Sequence, residues 1–338
     1  MRPVSILLAV AAFTAVGLVR PAAAADDEAV LALPALNLGF ATSYIAEGAG
    51  FWTKAGLKVK IVEINGVGAM NAVLSKSADF SNSSGATIIR ANIRGQKVMT
   101  IANTFTGLIH EMVVSKKLAD AAGVSLSSSV EKRAQAIKGK KIAINSANAI
   151  PHGMLRLLAR KGGIDPERDV TVAIMAPEAS FAALKSGAID GFVQSLPWSL
   201  IPPHDGYGVL LASNLRDKPD FPELIPQVFN GIVTRPELCD QKPTVCERLV
   251  SGYTQAMAYM NDHPKESLAI LAKRMPGEDP AALAEGFKLM VPWTPRSGGR
   301  MDEEGWRRAQ ELMLIAGMIK PDEQLKSFEA IYTNKYIQ

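Results

Sequence analysis

The chain has 338 residues, 48% of them hydrophobic and 21% charged, with 37 Lys and Arg against 33 Asp and Glu and a formal net charge of +4. That balance excludes a disordered polymer, a collagen-like repeat and a coiled coil, and the length suits about two domains with ample chain to bury a core. No long basic run occurs, so a surface that tracks nucleic-acid phosphates is not expected.

Residues Met1–Ala25 read as a secretory signal. Arg2 precedes an apolar stretch, Val4–Val19, and the small-residue run Pro21–Ala25 leads into Asp26-Asp27-Glu28. Cleavage is expected near Ala24 or Ala25, because Gly17, Arg20 and Pro21 interrupt the apolar run before the roughly 20 residues that a membrane span needs. The mature protein is therefore expected to be exported and soluble. Export gives meaning to the two cysteines, Cys239 and Cys246. In an oxidising compartment the pair is expected to form a local disulfide, with Pro243 turning the chain between them. A metal site there would lack neighbouring ligands, and a redox pair is more usually C-x-x-C.

In chain order, strand-like and helix-like runs alternate. Leu36–Phe40 reads as a strand, Tyr44–Ala55 as a helix, Leu57–Ile64 as an alternating strand and Ala69–Lys76 as a helix. Asp79–Ser81 (strand), Ala86–Arg94 (helix), Val98–Ala102 and Glu111–Val114 (strands) follow. The Ser-rich stretch Ala119–Ser129 reads as a helix or linker. Beyond it come strand Lys141–Asn145, helix Pro151–Lys161, strand Val170–Met175, helix Ser180–Lys185, and strands Ile189–Val193 and Gly208–Ala212. This alternation predicts two α/β lobes with largely parallel sheets. After strand Val228–Thr234 the pattern is helical: Thr244–Asn261, Pro264–Lys273, Pro280–Met290 and Asp302–Ala316 each open on Thr, Pro or Asp, good helix starters. This tail is expected to pack on one of the two lobes.

Familiar catalytic signatures are missing: no G-x-S-x-G, H-E-x-x-H or phosphate-cradling G-x-x-x-x-G-K-[ST] occurs. Gly66-Val67-Gly68 is half of a dinucleotide fingerprint, with Asn71 at the third glycine position. Its amides suit an anion or polar group better than NAD. The histidines, His110, His152, His204 and His263, are scattered, so no metal centre is expected. His152 stands out in the first turn of the helix after strand Lys141–Asn145, at the sheet end where α/β folds bind ligands. Trp198, after strand Ile189–Val193, could stack on a ligand or pack between lobes.

Four segments in order carry a family resemblance. The stretch from Asn37 through Gly50-Phe-Trp to Gly56-Leu-Lys-Val is similar to the opening of the NitT/TauT-type (nitrate, sulfonate, taurine) periplasmic substrate-binding proteins of ABC transporters. Gly66–Asp79, Gly139-Lys-Lys-Ile-Ala-Ile and Ala182-Ala-Leu-Lys-Ser-Gly-Ala-Ile-Asp-Gly-Phe resemble that family's later motifs.

The resemblance implies an α/β type II periplasmic binding-protein fold, with two α/β lobes, two crossing segments and a helical C-terminal tail. After the signal 1–25, residues 26–109 plus 230–338 would form one lobe and 110–229 the other. A solute would lie between them, held by Thr42, Ser43 and Tyr44, by Ser83, Ser84 and Gly85, by Thr106, and by Asn148, His152, Ser195 and Trp198. The expected function is capture of a small organic anion, a sulfonate or carboxylate, for an inner-membrane ABC permease. Ser43, Ser84 and Thr106 would hold its oxygens, and Tyr44 and Trp198 its apolar part. No Arg or Lys sits in these loops, and Asn148-Ala-Ile-Pro151 replaces the family's hydroxyl-rich loop, so a neutral heterocycle such as a pyrimidine is the alternative. No enzyme activity, cofactor or metal is expected; a pyrimidine-precursor synthase is the enzyme alternative, and no nucleophile with a nearby base supports it. The protein is expected to be a periplasmic monomer.

Overall fold

The computed structural model describes residues 27–147, 149–216 and 218–337. The expected secretory signal, Met1–Ala25, and Asn148 lie outside the described residues. In chain order the strands are β1 (Asp27–Leu33), β2 (Leu57–Glu63), β3 (Phe80–Ser84), β4 (Met99–Phe105), β5 (His110–Ser115), β6 (Lys141–Ile144), β7 (Thr171–Ile174), β8 (Gly191–Ser195), β9 (Gly208–Ala212) and β10 (Asn230–Thr234). They form two five-stranded sheets with one permutation, β2-β1-β3-β10-β4 and β7-β6-β8-β5-β9. In the first, β1 pairs parallel with β2 and β3, while β10 is antiparallel to β3 and β4. In the second, β6 pairs parallel with β7 and β8, while β5 is antiparallel to β8 and β9.

The first strand lies earlier than Leu36–Phe40. Leu31, Ala32 and Leu33 are fully buried between two neighbouring strands. Pro34 follows β1 and has no N–H for the ladder. Asn37 then accepts a hydrogen bond from the Gly39 N–H at 2.8 Å and caps a 3-10 turn, Leu38–Phe40, instead of extending. The predicted helix Tyr44–Ala55 is two helices, α1 (Ala41–Gly48) and α2 (Phe51–Lys54), because Gly50 takes the left-handed conformation at φ 71°. Helices α3 (Gly68–Leu74) and α4 (Gly85–Ile93) complete the first set. The Ser-rich connection Ala119–Ser129 takes in the end of α5 (Lys116–Ala122) and leads into α6 (Val130–Ala136), each capped by the serine before it, Ser115 and Ser129. Helices α7 (Ile150–Lys161), α8 (Pro177–Ser186) and α9 (Ile201–His204) cover the second sheet.

Strand alternation decides which side chains meet which layer. Leu31 and Leu33 enter the main core, whereas Ala32, on the opposite face, packs with Ala69 and Val73 of α3. In the second sheet Val113, Ala143 and Phe192 share one face with Leu184 of α8, and Ile142, Ile144 and Val193 face the main core.

The tail contains α10 (Pro236–Gln241), α11 (Pro243–Asp262), α12 (Pro264–Arg274), α13 (Pro280–Met290) and α14 (Glu303–Ile315). It does not pack on one lobe alone. Helices α11 and α12 lie on α1, α13 meets both the 38–40 and the 198–200 turns, and α14 lies on α4 and α7. Close approach needs Gly286: a Cβ there would stand 2.7 Å from Leu38 Cδ1 and 3.5 Å from Leu196 Cβ, side chains from the two halves. The expected disulfide is present, Cys239 to Cys246 with Cα atoms 5.7 Å apart, joining α10 to the first turn of α11.

Candidate functional site at the seam between the sheets

The chain leaves the first sheet after Phe105, enters the second at His110, and returns at Asn230. The carboxyl ends of β3 and β8, where α/β sheets bind ligands, therefore each lie beside the start of an antiparallel crossing strand. Asn230 stands opposite Ser84, and His110 opposite Ser195.

In the first half the polar side chains are engaged internally. Ser43, fully buried, shares a hydrogen bond of 2.8 Å with the Tyr253 hydroxyl on α11 and receives one from Asn82 Nδ2 at 3.3 Å. The Tyr44 ring is buried under the Arg274 guanidinium, and its hydroxyl donates to the Ala35 carbonyl at 3.1 Å. Burial pushes the Tyr44 hydroxyl pKa up. Ser83 bonds Ser81, and Ser84 caps α4 by accepting from the Thr87 N–H at 3.2 Å. Thr106 donates its hydroxyl to the Trp293 carbonyl at 2.7 Å. Gly85 is held against the returning chain, with its N–H 2.8 Å from the Phe229 carbonyl oxygen. Asn230 Nδ2 donates to the Gly39 carbonyl at 2.8 Å. Thr42 differs: it is buried, and its Oγ1 has no hydrogen-bond partner.

At the end of the second sheet, two side chains on and beside the crossing strand keep an unmet atom. His110 Nδ1 is enclosed without a partner, its ring 6.0 Å from that of Phe229, and burial pushes the imidazole pKa down to about 4, so it is neutral near pH 7. Gln194 is 1% exposed and its Nε2 is unpartnered. Ser195 is buried, and its hydroxyl makes no hydrogen bond among the described residues. His152 is buried in the first turn of α7, and burial together with the nearby Arg156 charge lowers its pKa. Trp198 is half-buried and donates its Nε1–H to Glu278 Oε1 at 3.0 Å.

Behind Trp198 lies a polar group that sequence reasoning missed. Glu111, fully buried, accepts from the Ser199 hydroxyl at 2.7 Å and the Ser213 hydroxyl at 2.6 Å, and Arg216 Nε stands 3.6 Å away. Burial raises the Glu111 pKa, while the two hydroxyls and Arg216 oppose that rise. These partners lie 88 to 105 positions from Glu111 in sequence, so spacing carries no signal for them. His110 did carry one, a histidine opening a crossing strand. Among the described residues no cluster of three metal-ligating side chains occurs and no helix is long and apolar enough to cross a membrane.

A family model described as the NMT1-like family matches residues 35–275. The chain is 27% identical over 242 residues to the bicarbonate transport ATP-binding protein CmpC of Synechocystis, covering 68% of this chain and 35% of that one. It is 25% identical over 175 residues to the nitrate/nitrite binding protein NrtA of Nostoc, 51% of this chain and 36% of the relative. The chain thus spans about a third of the length of these curated relatives. In fold it is similar to the alkanesulfonate-binding protein SsuA of Xanthomonas axonopodis bound to MOPS, with a TM-score of 0.68 at 18% identity over 92% of this chain and 100% of that one. With 35–275 matched, most of the described length, the chain belongs to the NMT1-like family.

Proposed function

We propose that the protein is the solute-binding component of an ABC importer, capturing a small organic anion of the sulfonate or carboxylate class between two lobes, 26–109 with 230–338 and 110–229. In this reading it acts in the periplasm after loss of its signal and hands the solute to a permease. It carries out no reaction on the solute. The observation that carries the reading is the pair of sheets with one strand permutation, together with the buried side-chain atoms Thr42 Oγ1 and Gln194 Nε2, which have no hydrogen-bond partner. An unmet buried polar atom costs roughly 1–3 kcal/mol, which a bound oxygen atom would recover. The relatives' names, covering bicarbonate, nitrate and alkanesulfonate, support an oxyanion.

Ser43, Ser84 and Thr106, whose hydroxyls already have partners, become the frame of this site; Thr42, His110, Gln194, Ser195 and the open face of Trp198 are its contacts. A second reading has its own support. His110 is neutral, and the assigned contacts include no Lys or Arg, so a neutral heterocycle such as a pyrimidine would be held by the same donors and acceptors. Thermal-shift measurements with ethanesulfonate, acetate, nitrate and uracil separate the two. A solute at 100 times its Kd should add about 2.7 kcal/mol to stability. Stabilisation by ethanesulfonate or acetate supports the first reading and stabilisation by uracil alone the second. No shift with any of the four, together with an unchanged scattering profile, overturns both.

A further inference from the structure

Helix α13 crosses the seam, and two carboxylates bind it to the second half. Glu285 Oε2 lies 2.7 Å from His204 Nε2 at the end of α9, and Glu285 Oε1 accepts from Arg216 Nη2 at 3.2 Å. Just before α13, Glu278 accepts the Trp198 indole N–H. Arg216 continues the contact inward to Glu111, which holds Ser199, the residue after Trp198. A shallow surface hollow lined by Ile201, His204, Asp205, Asp279 and Ala281 lies beside these contacts. The root of the tail is fixed to the first half: Tyr253 on α11 bonds Ser43, Trp52 Nε1 donates to the Leu249 carbonyl, and Arg274 at the end of α12 covers Tyr44. The tail keeps further ties to lobe 2: Arg156 Nη1 donates to the Ala316 carbonyl at 3.1 Å, Arg308 Nη1 to the Ile225 carbonyl at 3.0 Å and Trp293 Nε1 to the Leu215 carbonyl at 3.4 Å.

We propose that Glu278 and Glu285 form an interlobe latch. They close α13, a strap carried by the first lobe, onto the Trp198 turn and α9 of the second, while the Arg156 side acts as the pivot. Two features of the contact fit a latch better than a permanent brace. Its groups are half-exposed, with His204, Arg216 and Glu285 side chains 30%, 28% and 36% accessible, so water can replace each bond on opening. It also grips the turn that carries Trp198, so the state of the latch sets where that ring stands. The latch would favour the closed form before solute arrives and so tune how readily the site admits and releases it.

The inference takes the two-lobed solute-binding reading as its premise, and its test uses the protein without solute, so failure of either is distinguishable. The two native cysteines are bonded to each other, so Lys60→Cys on β2 and Thr171→Cys on β7, both exposed, allow a pair of spin labels, one on each lobe. In ligand-free protein, Glu285→Gln should raise the open, long-distance population about two- to fivefold. Trp198→Phe, which keeps an aromatic ring but removes the bond to Glu278, should act in the same direction, and the double change should exceed either. Glu285→Asp should restore part of the closed population. Each variant is compared at equal melting temperature or corrected to it. A distance distribution identical to the parent's in both Glu285→Gln and Trp198→Phe overturns the latch, whether or not ethanesulfonate or uracil binds.

Discussion

The two sheets pose the same local problem and solve it differently. In each, the third strand of the βαβ order ends on a serine, and the crossing strand beside it begins on a polar residue: Ser84 with Asn230 in the first, Ser195 with His110 in the second. In the first sheet both are engaged, Ser84 capping α4 and Asn230 holding the Gly39 carbonyl. In the second, His110 Nδ1 is buried without a partner, and Ser195 makes no side-chain hydrogen bond among the described residues. Shared topology therefore does not imply shared chemistry. One sheet end uses its polar groups to fix its own backbone, and the other holds them in reserve, at a cost in stability that is sensible where a ligand can repay it.

The sharpest way to break the first half is Gly85→Ala. Gly85 follows Ser84, and a Cβ there would stand 2.1 Å from the Val228 carbonyl oxygen, a backbone atom fixed by the Val228 N–H bond to Gly305. Overlap with backbone cannot be relieved by a rotamer change. A loss of about 3 kcal/mol or more is expected in urea unfolding, at the upper end for overpacking.

The second half is tested through pH. His110 has a folded pKa near 4, below the usual 6.5, so in that interval the unfolded chain binds a proton that the folded one refuses. Stability is then full above pH 6.5 and falls as the pH drops toward 4. The loss attributable to His110 is on the order of 2–3 kcal/mol, discounted because part of the ring is accessible. His110→Gln, which cannot titrate, should flatten this part of the stability profile; an unchanged slope between pH 6.5 and 4 would place the ring in an environment unlike the one described.

How much of this could be read from the sequence differs by region. The helical tail was legible because proline and aspartate mark helix starts locally; Pro264 and Pro280 open α12 and α13 where expected. The first strand was not, because Asp27-Glu28 hides its beginning and the apolar Leu36–Phe40 invites an extended reading that Pro34 and the Asn37 cap forbid. Helix α6 carried a local sign in Ser129 that the Ser-rich context concealed. At the seam, sequence located the loops but not the direction of their side chains. Ser43 finds Tyr253 across 210 positions and Thr106 finds Trp293 across 187, and only the packing of the tail decides that these hydroxyls turn inward. Trp198 was legible as a candidate, but the Glu278 and Glu285 contacts that hold its turn and strap depend on the same long-range packing.

The finest discrimination between the two sheet ends comes from matched substitutions, Ser84→Ala and Ser195→Ala. Ser84 supplies the cap that satisfies the Thr87 N–H, so its loss should cost about 1 kcal/mol of stability and leave solute affinity near the parent value. Ser195 makes no side-chain hydrogen bond among the described residues to lose, so stability should stay within about 0.5 kcal/mol of the parent. For whichever of ethanesulfonate, acetate, nitrate or uracil stabilises the parent, Ser195→Ala should weaken binding by roughly five- to tenfold, the worth of one hydrogen bond of about 1–1.4 kcal/mol. Calorimetric titration and urea unfolding of the two variants give four numbers. The comparison holds if stability follows Ser84 and affinity follows Ser195. If the affinity loss falls on Ser84 instead, the polar groups of the first sheet contact solute despite their internal bonds, and the division of labour drawn between the sheets is wrong.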